Sequence, residues 1–339
     1  MQIFIQSSEA ISCRETFNQK GFWEGTLRDE GDAVRPMLHP DYKQYIKGPS
    51  LRRLSKVLRA GVASAASCLQ RGGVDRPDAI VVGTGWGCLE DTTRFLSQLV
   101  ENEESLLNPT PFIQSTHNTI AGQIALLLSC KGYNMTFTQK ALSFETALLD
   151  VWMLMKEQEV RQVLVGGVDE FNDETRALMQ QEGCMSDRFF YGEGATFFLL
   201  DTQAQDAAVE LVGMRLVFDQ EEGAALAQNL QDFLEEQQVA PGAIDVLVSG
   251  ERGSAPAQGV YKAVEALLPQ AQVLRYKQWT GEAQTAAAQG LFFAERALKT
   301  QGFPAGVGLS SMGYKQLHYA LVLNHTQKEG TSFVLLHKS

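Results

Sequence analysis

The stretch from Ala141 to Met155 constrains this chain more than any other: fifteen residues of helical length, apolar on nearly every face. A surface helix keeps one polar face toward water, so a helix without one has to be covered on all sides. That requirement points to a layered protein with this helix in the middle. The runs on either side, Asn134 to Thr138 and Gln162 to Gly166, read as strands, the second ending in Gly166-Gly167.

The same alternation extends outward. Ile3-Phe4-Ile5 opens as a β run, Leu51 to Gln70 has helical spacing, and Asp78 to Gly83 is a strand. The turn Gly83-Thr84-Gly85-Trp86-Gly87 then feeds helices over Asp91 to Val100 and Asn118 to Cys130. After Gly192-Glu193-Gly194-Ala195 and a strand from Thr196 to Leu200, the polar stretch Asp201 to Asp206 reads as a join. The pattern then repeats, with strands near Val209 to Phe218 and Ile244 to Ser249, and helices over Ala224 to Gln237, Ala257 to Leu268 and Ala283 to Ala297. Terminal strands follow near Tyr319 to Asn324 and Ser332 to His337. This is α/β texture in two halves, with apolar helices at the centre.

Composition narrows the function. A net charge of −11, with no long Lys/Arg block, argues against nucleic acid and anionic membrane as partners. Five cysteines without CxxC spacing and five scattered histidines indicate neither a disulfide framework nor a metal site, and no cofactor is called for; a reducing cytoplasm is expected. No stretch reaches the roughly 18 to 20 apolar residues of a membrane span.

Gly132-Tyr133-Asn134 and its β run, the small residue opening the buried helix, and Gly166-Gly167-Val168-Asp169-Glu170 together resemble the nucleophile segment of the β-ketoacyl synthases of the thiolase-like superfamily. Gly192-Glu193-Gly194-Ala195 is similar to that family's GEGA turn. Pro111-Phe112 through Asn118-Thr-Ile-Ala-Gly122 resembles its interface segment. The resemblance implies a five-layered α-β-α-β-α fold of two similar halves, here 1–203 and 204–339. It also implies a dimer in which a loop of one subunit lies beside the active site of the other, making Phe112, Gln114, Thr116 and His117 candidates to face a partner.

The family's catalytic residues do not carry over. A ketosynthase needs a cysteine at the tip of the buried helix, where the helix dipole and free N–H groups favour the thiolate and the oxyanion; counting from both flanks puts Ala141 there, next to Gln139 and Lys140, which are candidates to fill the site. The two histidines that stabilise the decarboxylation enolate in that family are matched here by Glu251, in Ser249-Gly250-Glu251-Arg252, and by Glu282, after Lys277-Gln278-Trp279-Thr280-Gly281. The glycine gate is matched by Met312-Gly313-Tyr314-Lys315-Gln316, with Tyr314 a pocket candidate, and His318 falls where the family often has asparagine.

A scaffold without its chemistry resembles a chain length factor, similar to those of aryl polyene and flexirubin pathways. Such a subunit forms a heterodimer with an active ketosynthase and helps to set the length of a chain carried on acyl carrier protein. Two other readings stay open: an acyltransferase or decarboxylase using an unorthodox nucleophile such as Cys88 or Cys184, and a homodimeric acyl-binding scaffold. Glu145, a carboxylate in an otherwise apolar helix, is expected to pair with a group such as Lys140 or to be protonated.

Overall fold

The computed structural model describes residues 1–18, 33–186, 188–205, 208–218, 223–252, 255–303, 316–326 and 328–339. The strands are β1 (Phe4–Ser12), β2 (Val34–Arg35), β3 (Ala79–Gly83), β4 (Tyr133–Phe137), β5 (Gln162–Asp169), β6 (Tyr191–Gly192), β7 (Gly194–Asp201), β8 (Val209–Val217), β9 (Val246–Ser249), β10 (Gln272–Arg275), β11 (Tyr319–Thr326) and β12 (Gly330–His337). The helices are α1 (Gly48–Arg53), α2 (Lys56–Gly72), α3 (Leu89–Glu101), α4 (Pro109–Gln114), α5 (Thr119–Leu128), α6 (Ser143–Lys156), α7 (Asp173–Gln181), α8 (Gly223–Glu236), α9 (Ala255–Leu267), α10 (Lys277–Thr280) and α11 (Ala286–Thr300).

Strand pairing repeats itself. In the first half β1 runs antiparallel to β7 and β7 antiparallel to β5, while β5, β3 and β4 are parallel. In the second, β8 runs antiparallel to β12 and β12 antiparallel to β11, while β11, β9 and β10 are parallel. Phe4 and Ile5 of β1, paired with Glu210 and Val209 of β8, join the two five-stranded units into one ten-stranded order, and the Leu211 N–H donates to the Ile3 carbonyl beside them at 2.8 Å. β7 ends at Asp201 and β8 opens at Val209, on either side of the polar stretch.

Among the described residues three apolar clusters hold the five layers together. One is built from α2 and α5 against the first sheet unit, one from α8 and α9 against the second, and the largest lies between the units, where α6 and α11 meet. The thiolase-like architecture of two similar halves is therefore present. Phe144, Ala147, Leu148 and Val151 of α6 are shut off from solvent, and so are Leu291, Phe292 and Ala294 of α11. The apolar character of α6 has its cause in this double coverage, although its last turn reaches the surface at Met153.

The boundaries differ from expectation in a few places. The helix expected from Leu51 to Gln70 is two helices, because Leu54 and Ser55 are extended and Ser55 restarts the chain as an N-cap. β10 was not expected: it is four residues long and only half-buried along most of its length. α7 was missed because none of its residues is buried, so it has no apolar face to detect.

Candidate functional site

The tip of the central helix is a 3-10 turn, Lys140–Leu142, leading into α6. Lys140 holds φ 47°, a left-handed conformation that a side chain disfavours. Ser143 braces it, its hydroxyl donating to the Lys140 carbonyl at 2.6 Å and accepting from the Gln139 N–H at 2.8 Å. The backbone of β3 comes so close to this tip that a Cβ on Gly83 would lie 2.4 Å from the Ser143 carbonyl oxygen. Ala141, half-buried, lines a cavity of about 290 Å³ together with Trp86, Tyr191, Arg252, Glu282 and His325.

The two acids matched to the histidine positions part company. Glu282 lines the cavity, and its carboxylate accepts from Arg252 and lies 3.1 Å from Nζ of Lys277, whose side chain is 2 % exposed. Glu251 is not among the cavity-lining residues: its carboxylate is 2.8 Å from Nε of Arg275, which also holds Glu265 at 2.8 Å. Each of the two carboxylates thus has a cation on it. An imidazole is present that sequence matching did not find. His325, at the end of β11, has Nδ1 2.8 Å from the Thr331 hydroxyl, and burial, with Lys277 nearby, lowers its pKa, which favours the neutral ring.

Segment 312–315 of the expected glycine gate, Tyr314 included, lies outside the described residues. The segment seen beside Ala141 is the β11–β12 turn, which lines the cavity with Thr326, Lys328 and Glu329. Lys140 reaches this turn, its Nζ 3.9 Å from Glu329, and does not reach Glu145. Of the two expectations for Glu145, pairing with Lys140 or protonation, the first is not seen: Glu145 points into the interior, accepting from Asn324 Nδ2 at 2.8 Å and from the Ser332 hydroxyl at 3.1 Å. Burial pushes its carboxyl up to about 7. Gln139 and Lys140 are both exposed.

Behind the Gly83–Gly87 turn, the Asp169 carboxylate accepts from the Thr84 hydroxyl at 2.9 Å and from the N–H groups of Gly85 and Trp86, while burial raises it to about 6. Glu193 of the GEGA turn accepts from Met37 N–H and Phe171 N–H, both at 2.9 Å. These carboxylates hold loops in place by capping backbone donors.

The partner candidates from Phe112 to His117 differ in exposure. Phe112 and His117 are exposed, Thr116 hydrogen-bonds Thr119 at 2.9 Å, and buried Gln114 donates to the Arg53 carbonyl at 2.9 Å. β4 is the outer strand of its sheet unit, with Met135 exposed on it and Leu126 and Leu127 exposed on α5 beside it. Of the alternative nucleophiles, Cys88 is fully buried with its thiol pushed well up by burial, whereas Cys184 is exposed and lines the Ala141 cavity.

A family model for the β-ketoacyl synthase N-terminal domain matches residues 40–240, more than half of the chain and the whole of the segment that carries Ala141. The chain belongs to the β-ketoacyl synthase family. No curated protein sequence matches significantly. Among solved structures, the chain is similar to the ishigamide ketosynthase/chain length factor (TM-score 0.80, 18% identity, 99% of both chains covered). A β-ketoacyl synthase from Burkholderia phymatum STM815 superposes at TM-score 0.81 with 13% identity over 100% of this chain and 99% of that one. The ketosynthase ApeO in complex with its chain length factor ApeC from Xenorhabdus doucetiae gives 0.77 and 14% over 100% and 98%. At these identities the likeness establishes the ketosynthase fold.

Proposed function

We propose that this chain is a non-catalytic member of the β-ketoacyl synthase family that pairs with an active ketosynthase and acts on the growth of a chain carried by acyl carrier protein. The observation that carries the reading is the methyl side chain of Ala141 in the turn ahead of the central helix, facing a cavity in which Glu282, the acid matched to a family histidine, is tied up by Arg252 and Lys277. A methyl group forms no thioester, and a carboxylate held by two cations cannot take over the donor role of an imidazole.

The pairing surface we assign is the open edge of β4 with Met135, Leu126 and exposed Phe112, where a second sheet edge adds main-chain hydrogen bonds to apolar contact. That two of the similar structures contain a ketosynthase together with a chain length factor supports a ketosynthase as the occupant. In this arrangement Phe112, Thr116 and His117 contribute to the wall that limits the chain. The test is co-expression with candidate ketosynthases: a stable heterodimer should condense malonyl and acyl units on carrier protein, and this subunit alone should not.

Cys184 supports a second reading, since an exposed thiol lines the Ala141 cavity and could serve as an unorthodox nucleophile. Replacement by serine decides it: under the first reading Cys184→Ser leaves the activity of the complex intact. A homodimeric scaffold, the third reading, would show only the self-pair in native mass spectrometry.

A further inference from the structure

One wall of the Ala141 cavity comes from α7 and the turn after it, through Met179 and Cys184. Most residues of this stretch are exposed, so it stands between the cavity and solvent. We propose that the segment from Asp173 to Cys184 is a lid that opens and closes access to the cavity. The lid concerns access alone and stands independently of the subunit's role in condensation.

Both flanks of the segment are fixed. Before it, the Phe171 ring stacks on Tyr191 with centroids 5.6 Å apart and lies 5.1 Å from Trp86, and the Phe171 N–H donates to Glu193. After it, Phe189 packs on Tyr191 at 5.3 Å, with the Arg252 guanidinium 4.3 Å from its ring centre. Aromatic packing of this kind anchors the two ends on the same tyrosine.

What lies between the anchors is held by little. None of the nine α7 residues is buried, Thr175 and Met179 alone are half-buried, and no other helix or strand packs closely on α7 among the described residues. A helix shorter than about 12 residues is not stable by itself, so packing ordinarily holds it. Here two polar tethers take that place. At the start, the Asn172 side chain accepts from the Thr175 N–H and donates to the Thr93 hydroxyl on α3, both at 2.9 Å. At the end, the Tyr191 hydroxyl donates to the Cys184 carbonyl at 3.2 Å. Between helix and tether, Gly183 holds φ 63°, and a Cβ built there would meet nothing within 4 Å, so the chain can swivel at this point without collision. A segment with few buried contacts opens at a lower free energy than the core around it. The volume of about 290 Å³ is then that of the closed cavity.

The experiment places a thiol beneath the lid. The full chain carrying Ala141→Cys and Cys184→Ser is reacted with fluorescein maleimide, and peptide mapping separates the introduced thiol from Cys13, Cys68, Cys88 and Cys130. Its labelling should be at least tenfold slower than in the same chain unfolded in urea. Asn172→Ala, and Thr93→Ala from the α3 side, should each speed it at least fivefold, with deuterium uptake across 173–184 rising in step. Thr93→Ala leaves the buried Asn172 in place and carries the test where Asn172→Ala folds poorly. Asn108→Ala removes the matching cap of α4, outside the cavity lining, and should leave the rate unchanged. Labelling of the folded chain as fast as the unfolded one, unchanged rates in the folded tether variants, or an equal rise in Asn108→Ala overturns the lid. No partner or turnover enters the readout, so the result is separate from that of the pairing test.

Discussion

Asn324 on β11 donates to the carboxyl of Glu145 at 2.8 Å and, at 3.3 Å, the same amide nitrogen reaches the carbonyl of Ala141. One side chain from the second half therefore ties both the tip and the first turn of the central helix, which belongs to the first half. The Tyr276 hydroxyl completes the arrangement by donating to Asn324 Oδ1 at 3.2 Å.

Stability should fall with rising pH because of Glu145. Its folded-state carboxyl is raised from 4.5 to about 7, so the unfolded chain releases its proton first. The cost builds as pH rises from about 4.5 to 7 and is complete above 7, where it amounts to about 3 kcal/mol. Glu145→Gln keeps an acceptor for Asn324 and Ser332 and removes the titration. Chemical denaturation should find the variant more stable than the parent at pH 8 and close to it at pH 4.5; equal differences at both would show that Glu145 does not titrate with folding.

Glu282→Ala should cost about 3 kcal/mol, because it leaves Lys277 buried without its counter-ion. Lys277→Met in that background should restore part of the loss. A double-mutant cycle by urea denaturation measures the coupling, and additivity of the two substitutions would contradict the pairing.

Gly83→Ala should destabilise by about 3 kcal/mol or more, since its Cβ would come 2.4 Å from the Ser143 carbonyl oxygen and 2.6 Å from Phe144 Cα, both backbone atoms of α6. Melting of the isolated chain checks this. Gly242→Ala, where nothing lies within 4 Å, serves as the control.

Met135→Lys places a charge on the exposed face of β4 and should abolish pairing with a ketosynthase while leaving the melting temperature of the isolated subunit within about 2 °C. Size-exclusion chromatography of the co-expressed pair reads the outcome. Retention of the heterodimer would move the interface elsewhere.

What sequence could reveal followed from periodicity and burial. The run from Ala141 to Met155 announced a covered helix because apolar residues dominate it, with Ser143, Glu145, Thr146 and Asp150 its polar members, and strands such as Gln162–Asp169 and Gly194–Asp201, buried along almost their whole length, stood out for their apolar character too. α7 and β10 escaped because few of their residues are buried. At the site, Ala141 and Glu282 were legible because each lies at a fixed distance from a glycine turn. Their surroundings were not: Arg252 meets Glu282 across 30 positions, and Asn324 meets Glu145 across 179. His325 went unnoticed because only the folding of the β11–β12 hairpin brings it to the cavity.

The most direct test of a non-catalytic subunit is acylation of the purified chain by itself. Incubated with radiolabelled acyl and malonyl thioesters of carrier protein, then digested and mapped by mass spectrometry, it should carry no acyl group on any side chain and release no condensed product. Ala141→Cys should add a thiol that iodoacetamide modifies and still give no condensation, because Glu282 remains clamped by Arg252 and Lys277. Stable label on a peptide of the unaltered protein, followed by chain extension without a partner, would contradict the assignment.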